Sequence, residues 1–263
     1  MPNHITNGVF ETNTATAASQ AAAGWTNVSG STDLQTDGGF EWAGSYMPTD
    51  LDAATGGGYI TMYATGSYTE SMQTTLNTPI VAGETYTFNF DFYVNNSDGS
   101  TNNPASTDLQ VTIGTQVLTI TLDSTGATSP YWDSASVTFT ATDSTSTLLI
   151  GSTNDTGALT YTGMALDNLE LDLASDFIVE GSSGADTIDG AYLGDPQGDE
   201  IDNLDHSDGT NDDSVQALGG NDVIDAGLGD DTIDAGTGDD TIIDSAGDDY
   251  VEGGSGRDNF DYT

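Results

Sequence analysis

Apolar and polar residues alternate in many short runs between positions 1 and 173. The clearest is TYTFNFDFYV at 85–94, where Phe88, Phe90, Phe92 and Val94 share one face and Asn89, Asp91 and Tyr93 the other. Residues 108–113, 116–122, 135–141, 146–152 and 166–173 alternate in the same way, and 58–63 and 70–76 do so more weakly. Threonine, valine and aromatic residues fill these runs, while Gly, Asn, Ser and Asp punctuate them. No segment sustains a helical period. The pattern predicts an all-β unit of about eight to ten strands in two packed sheets, a jelly-roll β-sandwich.

The pattern changes near residue 174. Residues 208–261 divide without a gap into six nonapeptides: DGTNDDSVQ, ALGGNDVID, AGLGDDTID, AGTGDDTII, DSAGDDYVE and GGSGRDNFD. The sixth position is always aspartate: Asp213, Asp222, Asp231, Asp240, Asp249 and Asp258. The eighth is always apolar: Val215, Ile224, Ile233, Ile242, Val251 and Phe260. The fourth is glycine in all but the first unit, which points to a left-handed backbone there. An earlier unit, GSSGADTID at 181–189, carries Asp186, and GDEID at 198–202 reads as the end of another, with Asp199. The intervening stretch, 190–207, breaks the period and reads as an inserted loop or an eroded repeat.

This spacing matches the template G-G-x-G-x-D-x-U-x, and the C-terminal part resembles the RTX calcium-binding proteins. The resemblance implies a parallel β-roll with two nonapeptides per coil, so that each unit stacks on the next but one. It places Asp213, Asp231 and Asp249 on one edge and Asp222, Asp240 and Asp258 on the other. Calcium, which takes six to eight oxygens at about 2.3–2.6 Å, would sit between successive rungs. In each DD pair the second aspartate is the expected ligand; the first, such as Asp230 or Asp239, is expected to be an outer, solvated charge. One apolar side chain per nonapeptide makes a thin core, so the roll is expected to fold only when calcium binds.

Charge reinforces this reading. The chain has 43 acidic residues against one basic residue, Arg257, for a net charge of −42. Of the acidic residues, 18 precede residue 174 and 25 follow it in about half the length. Two carboxylates about 5 Å apart repel by roughly 3 kcal/mol at an effective dielectric of 20, so cations are the expected partners. Nucleic acids and anionic membranes are not. The absence of cysteine removes disulfides and thiolate metal sites, and no apolar run is long enough to cross a membrane as a helix. The domains expected are 1–174, a sandwich, and 175–263, a β-roll with its irregular insertion.

In the first domain, NGVFET (7–12), GW (24–25), AGETYTFNFDF (82–92), WDSASVTFTA (132–141) and ALDNLELDL (165–173) resemble the galactose-binding-like jelly rolls, to which many carbohydrate-binding modules belong. The resemblance implies a structural calcium where first and last strands meet, with Glu11 and Asp167 as its carboxylates. Aromatic rings that stack on sugars and polar groups that bond hydroxyls make Tyr59, Tyr63, Asn89, Asp91, Tyr93 and Trp42 the candidate ligand residues. Trp25 and Trp132, beside strand starts, read as core.

No catalytic constellation is legible. His4 and His206 read as solvated loop histidines, and there is no His-Glu-x-x-His or Gly-x-Ser-x-Gly motif. The expectation is a secreted, non-catalytic calcium-binding protein that recognises extracellular polysaccharide or other glycan, or acts in adhesion. A structural role in a surface layer or matrix, or service as the accessory region of a polysaccharide-degrading enzyme, are the alternatives. The RTX resemblance implies a bacterial, extracellular or cell-surface location, reached by type I secretion without a cleaved N-terminal signal.

Overall fold

A computed structural model describes residues 4–5, 24–29, 33–36, 58–65, 68–96, 106–123, 132–153, 162–201, 210–244 and 246–262. The chain divides into two units, Pro2–Asp172 and Leu173–Thr263.

The first unit is a jelly-roll β-sandwich. One sheet runs β1 (Trp25–Ser29), β5 (Ser71–Ile80), β10 (Thr145–Ser152), β7 (Ser106–Ile113) and β8 (Gln116–Asp123). The other runs β2 (Asp33–Thr36), β3 (Gly58–Thr65), β11 (Thr162–Leu173), β6 (Thr85–Asn96) and β9 (Asp133–Thr140), with β4 (Tyr68–Thr69) paired to β3. From β5 onward the chain changes sheet at nearly every connection, so sequence neighbours seldom pair. The β7–β8 hairpin is the exception among these, and its register is unbroken from Ser106↔Asp123 to Ile113↔Gln116.

Alternation built this core as the sequence implied. Phe88, Phe90, Phe92 and Val94 of β6 are all buried, and the Phe88–Phe90 and Phe90–Phe92 ring centroids lie 5.0 and 6.1 Å apart. Met72, Leu76 and Ile80 of β5, Leu109, Val111 and Ile113 of β7, and Leu148 and Ile150 of β10 supply the other sheet's share. Trp25 is buried and Trp132 half-buried.

Three sequence expectations fail here, each because a face taken as solvated is covered. Tyr59 and Tyr93 are fully buried, so neither ring can stack on a ligand. At Phe92–Val94 burial is continuous, and the Tyr59 ring stands edge-on to Trp132 at 5.6 Å. His4 is buried rather than solvated. Its N–H donates to Leu171 O, its carbonyl accepts Asn77 N–H, and its Nδ1 lies 2.9 Å from Thr78 O. It thereby ties β11 of one sheet to β5 of the other.

The second unit is a parallel β-roll. Strands β12 (Val179–Glu180), β14 (Ser214–Gln216), β16 (Thr232–Asp234) and β18 (Tyr250–Glu252) form one sheet. Strands β13 (Thr187–Ile188), β15 (Val223–Asp225), β17 (Thr241–Asp244) and β19 (Asn259–Tyr262) form the other. The pairings Val215↔Ile233↔Val251 and Ile224↔Ile242↔Phe260 are parallel, and each step along them spans two nonapeptides. The first pairings, Val179↔Val215 and Ile188↔Ile224, span four nonapeptide lengths instead. The register therefore skips one coil's length of chain between these strands, and the described residues 190–201 form no strand of either sheet, as an insertion would.

The described part of the insertion folds against the first strand. Tyr192 donates its hydroxyl to Glu180 O at 3.1 Å, and Glu180 N–H donates to Asp195 Oδ2 at 2.9 Å. Asp195 Oδ1 accepts the N–H groups of Gln197, Gly198 and Asp199 at 2.6–2.9 Å, and Ile201 is buried in the roll core. The edge of β12 thus has peptide groups of Glu180 occupied, which hinders edge-to-edge pairing there.

The core is thicker than one side chain per nonapeptide. Ile188, Val215, Ile224, Ile233 and Ile242 at position eight are buried, and so are Ala217, Ala226 and Ala235 at position one of the following unit. Position one lies two residues after position eight, just past the strand's end, and continues its inward-facing alternation. Towards the last coil coverage falls away: Val251 is half-buried and Phe260 is 39% exposed.

Candidate calcium ladders and a polar groove

Each turn of the roll places its sixth-position aspartate directly above the one a coil earlier. Asp213 N–H donates to Asp231 Oδ1 at 2.8 Å, and Asp231 N–H to Asp249 Oδ1 at 2.9 Å. On the other edge Asp186 N–H donates to Asp222 Oδ1 at 2.8 Å, Asp222 N–H to Asp240 Oδ1 at 2.8 Å, and Asp240 N–H to Asp258 Oδ1 at 3.2 Å. The files are Asp213–Asp231–Asp249 and Asp186–Asp222–Asp240–Asp258. Asp213, Asp222, Asp231 and Asp240 are buried, while Asp186, Asp249 and Asp258, at the ends, are half-buried.

The glycine at position four permits this close stacking. Gly220, Gly229, Gly238, Gly247 and Gly256 have φ between 124° and 154°. These angles lie beyond the left-handed helical region expected from sequence, in backbone space that is essentially glycine-only. A Cβ on Gly238 would run into Gly220 O, one on Gly247 into Gly229 O, and one on Gly256 into Gly238 O. Each turn therefore lies against a main-chain carbonyl of the coil before it.

Calcium fits this arrangement on one observation. The Oδ2 atoms of Asp222 and Asp240 are buried and have no hydrogen-bond partner. Burial pushes the Asp222 carboxyl above the usual carboxylate range; the Asp186 N–H opposes the shift and the stacked Asp240 and Asp186 carboxylates add to it. A buried carboxylate oxygen with neither proton donor nor cation is costly. Among the described residues no three His, Cys, Asp or Glu side chains converge as a metal-ligating group. An ion here must draw on main-chain carbonyl oxygens as well as carboxylates, which suits the hard, oxygen-rich shell of calcium.

The first aspartate of the DD pairs at 230 and 239 is exposed, in keeping with the outer charge that the sequence suggests, and it also bonds the neighbouring coil. Asp212 Oδ1 accepts Asp230 N–H at 2.9 Å, and Asp230 Oδ1 accepts Asp248 N–H at 2.9 Å. Asn221 Oδ1 accepts Asp239 N–H at 3.0 Å, and Asp239 Oδ1 accepts Arg257 N–H at 2.9 Å. Most of these side chains are exposed, yet each is bonded to the next coil.

Asp199 stands apart from both files. Its Oδ1 accepts Ser175 Oγ at 2.5 Å and its N–H donates to Asp195, inside the insertion, so GDEID is not the end of a stacked repeat. Glu11, Trp42 and His206 lie outside the described residues, as does the side chain of Tyr63. Asp167 is fully buried in β11, its Oδ1 accepting Asn168 N–H at 2.8 Å.

On the sandwich, Asn89 and Asp91 do come together with other polar groups. They line an open groove of about 600 Å³ with Ser134 and Ser136 of β9 and Asn168 and Glu170 of β11. Asp91 accepts Ser134 Oγ through Oδ1 and Asn168 Nδ2 through Oδ2, both at 2.6 Å. Asn168 has φ 51°, and the change of pattern there sets Asn168 and Glu170 on the outer face after the buried run at 163–167. Sequence reasoning missed the four partners. Their signal was the polar alternation in DSAS and DNLE, but only the β6–β9 register, with Asn89↔Ser136 and Asp91↔Ser134, brings the two serines to Asn89 and Asp91. Among the described residues Phe90 is the one aromatic along this groove, and its side chain is buried in the core.

The RTX calcium-binding nonapeptide repeat family matches residues 178–191, 207–242 and 229–260. No curated protein matches the chain in sequence. Solved structures similar to the chain include TmCBM61 in complex with β-1,4-galactotriose, at 12% identity and TM-score 0.37, covering 66% of this chain and 99% of that one. The CBM22-1 xylan-binding domain of a Paenibacillus barcinonensis protein is similar at 15% identity and TM-score 0.39, covering 63% and 90%. The K2 cleaved adhesin domain of Lys-gingipain is similar at 14% identity and TM-score 0.40, covering 63% and 97%.

Proposed function

We propose that this chain, whose C-terminal part carries RTX calcium-binding nonapeptide repeats, is a secreted, non-catalytic protein in which calcium folds the roll and the sandwich holds a glycan. The carrying observation is the pair of orphaned, buried Asp222 and Asp240 Oδ2 atoms within the stacked files. The ligands are Asp186, Asp213, Asp222, Asp231, Asp240, Asp249 and Asp258, with main-chain carbonyls of the glycine turns completing each shell. Calcium supplies the positive charge that these files lack; the chain supplies preset oxygens, one coil apart. Without the ion, the stacked carboxylates oppose a core of short aliphatic side chains, and the unfolded chain is favoured. The domains follow as a sandwich over 1–174 and a roll over 175–263.

For the sandwich, the groove at Asn89, Asp91, Ser134, Ser136, Asn168 and Glu170 supports binding of a hydroxyl-rich ligand. Its amides, hydroxyls and carboxylates match sugar hydroxyls as donors and acceptors. Among the described residues this groove has no exposed ring, so the contacts it offers are hydrogen bonds. Arg257 is the chain's only Lys or Arg, so this unit has neither to attract an acidic glycan, and the ligand class is neutral polysaccharide.

Circular dichroism in chelator and then in calcium tests the first half: β signal must rise on calcium addition, and a spectrum unchanged by chelation refutes it. A glycan array in calcium tests the second. Binding to neutral glycans that Asp91→Ala abolishes supports the groove. Binding to none favours the second reading, a surface-layer or matrix role, for which the periodic, ion-stacked roll is itself the supporting feature.

A further inference from the structure

We propose that the fifth-position side chains form a second ladder that positions the calcium turns, and that its working part is the acceptor oxygen rather than the charge. The proposal rests on the calcium reading above and deepens it. The two ladders run in opposite senses. At position six the N–H of one coil donates to the carboxylate of the next, as from Asp213 to Asp231; at position five the side chain of one coil accepts the N–H of the next, as Asp212 does from Asp230. Adjacent residues therefore bond their neighbouring coil reciprocally, one as donor and one as acceptor, and fix both the spacing and the twist of the turn between them.

The chain contains its own control for charge. Asn221 fills this position without a charge, and its Oδ1 accepts Asp239 N–H at 3.0 Å. Asp230 and Asp212 make the equivalent bonds at 2.9 Å. A neutral amide and a carboxylate accept the same bond from the next coil at nearly the same distance. The position-five N–H belongs to the residue directly before each ligand aspartate, so holding it fixes the backbone of that ligand in the folded, calcium-loaded turn. Charge at this position only adds repulsion along Asp212–Asp230–Asp248.

Asp230→Ala and Asp230→Asn separate the two contributions, since both delete the charge and only the second keeps an acceptor. Calcium titrations of the whole chain by circular dichroism give the midpoint, and hydrogen exchange in saturating calcium reads the Asp248 amide. For Asp230→Ala the midpoint should rise about two- to fivefold, the scale of one net hydrogen bond lost from a fold coupled to ion binding. The Asp248 amide should lose protection. Asp230→Asn should keep that protection, with a midpoint at or below that of the parent. Equal midpoints and equal Asp248 protection in the two variants would overturn the ladder while leaving calcium binding intact. A parent chain whose roll does not respond to calcium would overturn the calcium reading itself.

Discussion

Gly184 and Gly238 occupy the same fourth position of the repeat, and a repeat template assigns them the same importance. Their surroundings differ. Gly238 has φ 147°, and a Cβ there would run into Gly220 O of the coil before. Gly184 lies in the first coil, where a Cβ would meet only Ser182 Oγ, at 3.7 Å. Gly238→Ala therefore incurs backbone strain of about 1–3 kcal/mol. It also forces the coil away from its neighbour, weakening Gly220 N–H to Thr237 O and Asp222 N–H to Asp240 Oδ1, both 2.8 Å, at about 1 kcal/mol each. The total is about 3–5 kcal/mol, a large fraction of a domain's usual stability of about 5–15 kcal/mol. Gly184→Ala should cost less than about 1 kcal/mol, as an exposed substitution without strain. Hydrogen exchange across 214–244 in saturating calcium, with the calcium midpoint, measures both. Equal losses in the two variants would refute the stacking argument and leave only a generic preference for glycine.

Four further outcomes follow from the structure. Ile224→Ala, which removes a fully buried side chain paired to Ile188 and Ile242, should destabilise the calcium-loaded roll by about 2–5 kcal/mol in urea denaturation; a loss below about 1 kcal/mol would mean the interior is not packed as described. Leu218 holds φ 66° at repeat position two, where Gly227, Gly236 and Gly254 sit, and is exposed; Leu218→Gly should stabilise the roll by about 0.5–1 kcal/mol in the same assay, and destabilisation would count against it. In the sandwich two carboxyls act oppositely with pH. The Thr115 hydroxyl, then its N–H, hold Asp143 below its ordinary 3.8, so the stability it gives is present above that value and lost as pH falls through the lowered one; Asp143→Ala should flatten this acid limb of a melting-temperature profile. Burial raises Asp172 against the pull of His4, so its contribution is present below 3.8 and lost as pH rises through the raised value; Asp172→Asn should raise the melting temperature at neutral pH, and no rise would contradict that sign.

Much of the architecture was legible because its signals are local and periodic. A period of two marks a strand covered on one face, and Phe88, Phe90, Phe92 and Val94 obeyed it. A period of nine with a fixed aspartate and a fixed apolar residue marks a repeat; the two-unit interval between stacked partners is what the resemblance to RTX repeats implies, and the strand register has it. The small inward alanines at 217, 226 and 235 were also in view, but alanine carries too little hydrophobic signal to separate a core position from a tolerant surface one.

What sequence alone could not give was which faces are covered twice and which residues meet across strands. Tyr59 and Tyr93 alternate with apolar neighbours as solvent-facing residues do, yet both are fully buried, Tyr59 with its ring edge-on to Trp132. Asp91 acquires Ser134 and Asn168 as partners only because non-sequential strands lie side by side. In the roll, the sequence by itself determined the nonapeptide period, its fixed aspartates and the demand for cations that a charge of −42 creates; their sorting into two files is what the RTX resemblance implies. Tertiary structure decided that the insertion is one skipped coil, that Asp199 lies off the files, and that the outer aspartates bond the coil that follows them. Each of those outcomes depends on what stacks on a turn, and a nonapeptide read alone carries no information about the neighbour that lies a full coil away along the chain.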